Sequence, residues 1–102
     1  MASAFVKDTI KANKVVVFSK TYCPYCVKAK RALQQLTTNF HVVELDQRGD
    51  GDAIQDALLD LTGARSVPRV FVAGKFIGGG DDTAAKAASG ELKTLLADVG
   101  AL

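Results

Sequence analysis

The hydrophobic positions of this chain form short β-rich runs that are separated by helical patterns. Residues 15–18 are apolar without alternation, which is typical of a central strand buried on both faces. Residues 40–45 form a second β-rich run. Residues 69–73 and 76–77 flank Gly74-Lys75, and this pattern predicts a short hairpin.

Apolar positions three and four residues apart predict helices in the segments between these runs. The four apolar faces are Phe5, Val6 and Ile10; Cys26, Ala29, Leu33 and Leu36; Ile54, Ala57, Leu58 and Leu61; and Leu92, Leu95, Leu96 and Val99. Pro24 suits the first turn of the second helix, where its missing N–H is no loss. Gly63 is expected to end the third helix, and Asp81 or Asp82 to cap the last one.

The predicted order of elements is α-β-α-β-α-β-β-α, which indicates an α/β fold. We expect a four-stranded mixed sheet flanked by helices on both faces. The first two strands should be parallel through a right-handed crossover, and the hairpin should supply the antiparallel edge. The chain has 102 residues, and residues 1–102 are expected to form a single domain.

The composition is that of a globular protein, with 48% hydrophobic residues, 24% charged residues and a net charge of +2. It excludes a disordered tail, a collagenous repeat and a disulfide-stapled mini-protein. The longest apolar run, residues 15–18, is too short to cross a membrane. The first eight residues lack the basic and apolar blocks of a secretory signal, so none is expected.

Charge is unevenly distributed along the chain. Residues 9–43 contain six lysines and arginines and no acid, whereas residues 44–60 contain six acids and one arginine. One interpretation is two ordinary solvated faces. The other is a positive field around the cysteines, which are flanked by the cations Lys20, Lys28, Lys30 and Arg31.

The two cysteines both lie in Cys23-Pro24-Tyr25-Cys26. A disulfide that closes so short a loop removes little entropy from the unfolded chain, so the pair suits redox chemistry or half of a metal site better than structural stapling. Zinc normally takes four ligands, and the one histidine, His41, stands alone at the start of a predicted strand.

The two thiols should differ in reactivity because only the thiolate attacks a disulfide. Cys23 is expected at the N-cap of the second helix, where free backbone N–H groups, the helix dipole and Lys20 favour an anion. Cys26 lies one turn further along, on the buried face. We therefore expect Cys23 to be the nucleophile and Cys26 the resolving thiol.

Four segments of the chain together resemble the dithiol glutaredoxins in order and spacing. They are Lys20-Thr21-Tyr22-Cys23-Pro24-Tyr25-Cys26, Ile54-Gln55-Asp56, the ten residues 62–71 around Val67-Pro68, and Ile77-Gly78-Gly79-Gly80-Asp81-Asp82. Two positions depart from the family pattern: Ser66 stands where threonine is usual, and Gly80 where some relatives have an extra cysteine.

The resemblance implies a thioredoxin-like fold with Cys23 and Cys26 as catalytic residues, glutathione as cosubstrate and no metal. It assigns glutathione binding to Lys20, Tyr25, Gln55, Val67, Pro68, Gly80, Asp81 and Asp82. In this assignment the glycyl carboxylate lies at Lys20 and Gln55, and the sulfur lies beside Tyr25. The γ-glutamyl end, which carries an ammonium group beside a carboxylate, meets Asp82 and free helix N–H groups. The resemblance also implies a cis Val67–Pro68 bond that turns the Val67 backbone groups toward the cysteines.

The expected partners are glutathione and glutathionylated or disulfide-containing proteins, with glutathione reductase and NADPH acting indirectly through glutathione. We expect a cytoplasmic monomer that binds neither nucleic acid nor membranes. One alternative is a dimer that bridges an iron–sulfur cluster through two copies of Cys23 and two glutathiones, although Pro24 stiffens the segment that must yield. The other alternative is a thioredoxin, but thioredoxins usually carry Trp-Cys-Gly-Pro-Cys and this chain has no tryptophan.

Overall fold

The protein was analysed as a computed structural model that describes residues 2–102. In chain order, its elements are α1 (Ala2–Ala12), β1 (Val15–Ser19), α2 (Pro24–Gln34), β2 (His41–Glu44), a short 3-10 helix (Leu45–Gln47), α3 (Gly51–Thr62), β3 (Arg69–Val72), β4 (Lys75–Gly78), α4 (Gly80–Ser89) and α5 (Glu91–Asp98).

The four strands form one mixed sheet in the order β2-β1-β3-β4. β1 is parallel to β2 and antiparallel to β3, and β3 and β4 form the antiparallel hairpin. Every residue of β1 is buried, as expected for a central strand covered on both faces. The hairpin turns at Ala73 and Gly74, which both have positive φ, as a two-residue turn between twisted strands requires. The expected α/β architecture is confirmed.

Each face of the sheet is covered by its own hydrophobic core. On one face, α1 and α3 pack Val6, Ile54 and Leu58 against Phe18 and Phe71, whose rings meet edge to face with centroids 5.8 Å apart. On the other face, the side chains of α2 and α5 pack against the valines of β1 and β3. The sheet is therefore a rigid base, and the loops at its ends carry the polar groups described below.

The C-terminal region differs from the sequence prediction in two ways. The expected single helix is two helices, because Gly90 adopts φ +88° and ends α4 before α5 begins. The N-cap of α4 is Gly79, so the prediction of an aspartate cap is wrong, and Asp81 and Asp82 lie within the first turn. Leu61, predicted on the buried face of α3, is 44% exposed, and it lies in the last turn of the helix, beyond the core residues Ile54 and Leu58.

None of the helices in residues 2–102 is long and apolar enough to span a lipid bilayer.

Candidate active site

The cysteine motif lies where β1 ends and α2 begins. Cys23 is the N-cap of α2, with extended backbone angles of −88° and 118°, and Pro24 occupies the first helical position. No side chain caps this helix, so the N–H groups of its first turn remain available to an anion at the N-terminus. The Cys23 thiol is partly exposed, and its Sγ lies 3.8 Å from the carbonyl oxygen of Val67. The expected N-cap position of Cys23 is confirmed.

The second thiol is in a different environment. Cys26 has no exposed surface, and its Sγ accepts a hydrogen bond from the backbone N–H of Lys20 at 3.4 Å. Burial raises the pKa of the Cys26 thiol to about 11, and the Lys20 N–H bond offsets only part of this effect. At neutral pH Cys26 is therefore a protonated, shielded thiol, and Cys23 is the one that solvent reaches.

This difference predicts selective alkylation. Because a thiolate reacts and Cys26 ionises only as the pH rises toward about 11, iodoacetamide at pH 7 should modify one cysteine of the reduced protein. Mass spectrometry of wild type should find a single adduct, on Cys23. The Cys26→Ser variant should react at the wild-type rate, whereas Cys23→Ser should stay unmodified at pH 7. Modification of Cys23→Ser at pH 7 at a rate close to that of wild type would contradict this assignment.

The loop opposite the cysteines contains a cis peptide bond between Val67 and Pro68, as expected. Pro68 is buried, and Val67 is partly exposed beside Cys23. Within residues 2–102, no backbone–backbone hydrogen bond uses the N–H or the C=O of Val67. The N–H is thus free for an extended ligand that reaches Cys23, whereas the C=O already accepts a long bond from the Cys23 thiol, which a ligand would have to displace.

Lys20 and Gln55, which the sequence assigned to one end of the ligand, line the same cavity of about 200 Å³. The Gln55 side chain is almost fully buried, and its amide nitrogen donates to the carbonyl oxygen of Arg65 at 2.9 Å. This bond fixes the orientation of the amide. The same cavity is also lined by Asp46, Arg48 and Asp52, so it is more acidic than the sequence interpretation implied.

The glycine loop brings the first turn of α4 against α2. A Cβ on Gly80 would lie 2.6 Å from the carbonyl oxygen of Tyr25, so any side chain here would require the two helices to move apart. Asp82 lies over Gly78, which has a φ of +132°. The α4 N-terminus has no side-chain cap, and its first N–H groups remain free beside Tyr25, which is 57% exposed.

Two cations that the sequence placed around the cysteines are already paired. Asp81 forms an ion pair with Lys28 at 2.7 Å, and the hydrogen bond from Lys28 to Asp81 raises the pKa of that lysine. Lys30 pairs with Glu44 at 2.9 Å. The positive field expected around the cysteines is therefore reduced. Asp81 is paired with a lysine of α2, whereas Asp82 is not.

The sequence analysis did not identify Asp46. Its carboxylate accepts hydrogen bonds from the Thr21 backbone N–H, at 3.0 Å, and from the Thr21 hydroxyl. These bonds, the hydroxyl first, lower the pKa of Asp46. A signal was available, because the ends of the parallel neighbours β1 and β2 meet at one edge of the sheet, and Thr21 and Asp46 follow these strands. Asp46 thus anchors the loop that leads into the cysteine motif.

Within residues 2–102, no three His, Cys, Asp or Glu side chains come together in a group that could hold a metal ion. His41 is exposed at the start of β2.

The geometry defines a class of protein. An accessible thiol at a helix N-terminus, a buried thiol one turn further on and a peptide group opposite them with a free N–H are the parts of a dithiol redox centre.

Comparison with known proteins identifies the family within this class. The model of the glutaredoxin family matches residues 15–77. A glutaredoxin from Ricinus communis is 52% identical over 102 residues, which is 100% of both chains. Oxidized glutaredoxin 2 from Chlamydomonas reinhardtii is 61% identical with a TM-score of 0.96, and the match covers 99% of this chain and 95% of that one. The buckwheat glutaredoxin–glutathione complex is 47% identical with a TM-score of 0.94, over 100% and 93% of the two chains.

The chain belongs to the glutaredoxin family. The expected thioredoxin-like fold is confirmed, and the protein is a glutathione-dependent thiol–disulfide oxidoreductase with a cysteine pair.

Proposed function

We propose that this protein reduces protein–glutathione mixed disulfides and protein disulfides, with Cys23 as nucleophile and Cys26 as resolving thiol. The asymmetry of the two thiols carries the proposal: Cys23 is accessible at the N-terminus of α2, and Cys26 is buried with a pKa raised to about 11. A thiolate at Cys23 can attack an incoming disulfide, while Cys26 stays protonated until the first bond has formed.

For a mixed disulfide, the Cys23 thiolate attacks the glutathione sulfur. The S–S bond between the substrate protein and glutathione breaks, and a Cys23–glutathione bond forms. The substrate protein leaves as a thiolate that takes a proton. A second glutathione thiolate then attacks the glutathione sulfur on Cys23. Glutathione disulfide leaves, and the Cys23 thiolate is regenerated. The second glutathione is the reductant: its sulfur passes from thiol to disulfide while the substrate sulfur passes from disulfide to thiol, and Cys26 takes no part.

For a protein disulfide, Cys23 forms a mixed disulfide with one substrate sulfur and releases the other as a thiol. Cys26 then loses its proton and attacks the Cys23 sulfur. This step releases the second substrate thiol and leaves a Cys23–Cys26 disulfide. Two glutathiones reduce that disulfide and become glutathione disulfide. We propose that glutathione reductase and NADPH recycle it, which makes the protein part of cellular electron transport and redox homeostasis.

Glutathione is proposed to bind across the Val67–Pro68 loop and the first turn of α4, which meet where Gly79 approaches the Pro68 carbonyl oxygen. Its cysteinyl backbone would pair with Val67, held by Pro68, and its sulfur would lie beside Tyr25. Lys20 and Gln55, in one cavity, would bind the glycyl carboxylate. The γ-glutamyl carboxylate would bind the free N–H groups of α4 from Gly80 onward. Asp82 would bind the γ-glutamyl amine. Asp81 would hold the loop in place through its ion pair with Lys28.

We also propose that residues 1–102 act as a single-domain, cytoplasmic monomer. The proposed cycle consumes reduced glutathione, and the cytosol maintains a reduced glutathione pool. Cell fractionation and sedimentation of the reduced protein test the two parts of this proposal. Recovery in an oxidising compartment, or a dimer at micromolar concentration, would contradict the corresponding part.

The glutathione site is tested by Asp82→Asn. Loss of the carboxylate should raise the apparent KM for glutathione about tenfold, the equivalent of about 1.4 kcal/mol, because it removes a charged hydrogen bond to the amine. The measurement is a coupled assay with NADPH, glutathione reductase, glutathione and a glutathionylated cysteine. Asp8→Asn, an exposed change of the same kind on α1, is the matched control and should behave as wild type. Equal KM values for the two variants would show that Asp82 does not bind glutathione.

A further inference from the structure

A groove runs along α2 from the cysteine motif, and it shares only Tyr22 with the lining of the Lys20–Gln55 cavity. It lies between α2 and α4 and has a volume of about 670 Å³. Its floor is apolar, formed by Val27 and Ala32 on α2 and by Ala84, Ala87 and Ala88 on α4. The glutathione site proposed above uses none of these residues, so the groove is unassigned.

The groove carries one sign of charge. Its charged lining residues are Lys28 and Arg31, and its lining includes no aspartate or glutamate. Lys28 is paired with Asp81, but among residues 2–102 no carboxylate or other acceptor pairs with the exposed guanidinium of Arg31. Arginine presents planar donors that match a carboxylate, so an occupant with an acidic side chain would complete the site.

One end of the groove lies beside the reacting cysteine, although Cys23 itself is not part of its lining. Tyr22 and Pro24, which flank Cys23 in the chain, form its near end, and Gln35 lies at its far end. A polypeptide joined to Cys23 through a disulfide can therefore enter the groove from this end. Arg31 lies eight residues along α2 from Cys23, which corresponds to about 12 Å of helix. An extended peptide covers that distance in about three to four residues.

We propose that the α2–α4 groove docks an acidic segment of the protein substrate, with a carboxylate three or four residues from the reacting cysteine bound to Arg31. Small apolar side chains of the same segment would lie over the alanines of α4. This inference rests on the proposed function and specifies the class of protein partner: disulfide-containing proteins with an acidic residue at that spacing.

Disulfide-linked peptide dimers test the proposal. Each peptide has one cysteine and carries glutamate, glutamine or lysine at the third and fourth positions on both sides, in an otherwise identical sequence. Fully reduced protein converts each dimer to two thiols while Cys23 and Cys26 become a disulfide, so single-turnover rates need no glutathione. Bis(2-hydroxyethyl) disulfide, which is too short to reach Arg31, serves as the reference for each variant.

Relative to that reference, wild type should reduce the glutamate dimer about fivefold faster than the lysine dimer, as expected for a solvent-exposed ion pair. Arg31→Glu should invert this order. Lys11→Glu, which makes the same change of net charge on α1 across the sheet, should keep it. High salt should bring the wild-type ratio toward one. Peptides with glutamate on only one side should then reveal the direction in which the segment runs.

Equal rates for the three dimers, or an unchanged preference in Arg31→Glu, would overturn the docking proposal while leaving the redox function intact. Failure to reduce any of the dimers and the reference disulfide would instead overturn the proposed function. Ala88→Trp, an exposed change that fills the groove, should slow all peptide dimers relative to the reference. If reduced wild type sediments as a dimer and Ala88→Trp sediments as a monomer, the groove is occupied by a second copy of the chain and the proposal is wrong.

Discussion

Cys23→Ser is expected to lose turnover with every disulfide substrate, by at least about a thousandfold, because a serine hydroxyl cannot replace the attacking thiolate. Cys26→Ser should retain reduction of glutathionylated substrates, since a second glutathione resolves the intermediate, but should stall with protein disulfides. Coupled assays with NADPH and glutathione reductase measure the first activity. Non-reducing mass spectrometry should detect the second defect as an accumulating Cys23–substrate adduct.

The serine variants are well matched to the structure. At position 26 a serine oxygen can still accept the N–H of Lys20, which an alanine would leave without its partner. Both variants should therefore unfold at temperatures close to wild type, which serves as the control. An active Cys23→Ser protein would contradict the mechanism, and a Cys26→Ser protein inactive toward glutathionylated substrates would show that both thiols are needed in each cycle.

Gly78→Ala is expected to have the largest effect on folding among single methyl additions at the site. Gly78 has a φ of +132°, which side chains rarely adopt, and a Cβ there would overlap the Asp82 side chain, with Oδ2 at 2.6 Å. Backbone strain and overpacking each cost about 1–3 kcal/mol, so the free energy of unfolding should fall by about 2–6 kcal/mol. Urea denaturation measures this change, and any folded variant should have a raised KM for glutathione because Asp82 must move.

Gly63→Ala is the matched control for this substitution. Gly63 also has a positive φ, +88°, but no atom lies within 4 Å of the position that an added methyl group would take. It should therefore cost only the backbone component, about 1–2 kcal/mol. Equal losses in the two variants would mean that contact with Asp82 contributes nothing at Gly78.

Much of the fold could be predicted because local chemistry and tertiary position agree. The uninterrupted apolar run at residues 15–18 can be satisfied only between two layers, and it became the fully buried β1. Pro24 marked the start of α2 and so placed Cys23 at its N-cap. The C-terminal helix was less predictable, because a glycine inside a helical pattern is tolerated in some contexts, and Gly90 instead turned the chain.

For the site, the sequence named candidate residues, but it could not predict the contacts that those residues make. Gln55 and Lys20 do share a cavity, yet the bond from Gln55 to Arg65 has no sequence signal. Asp81 and Asp82 are adjacent and chemically identical, but their surroundings differ. Asp81 pairs with Lys28 of α2, whereas Asp82 packs over Gly78. Which carboxylate remains available to a ligand therefore depends on how α2 and α4 pack.

The sequence by itself determined the order of the elements, the unequal positions of the two thiols and the family to which the chain belongs. These follow from periodicity, capping and the spacing of short motifs, all of which act within a few residues. Only the tertiary structure decided the bond between Asp46 and Thr21 and the basic groove that leaves Arg31 exposed. It also decided which acid each lysine meets: Lys28 pairs with Asp81 and Lys30 with Glu44. These contacts join residues far apart in the chain, so they depend on how whole helices and strands pack.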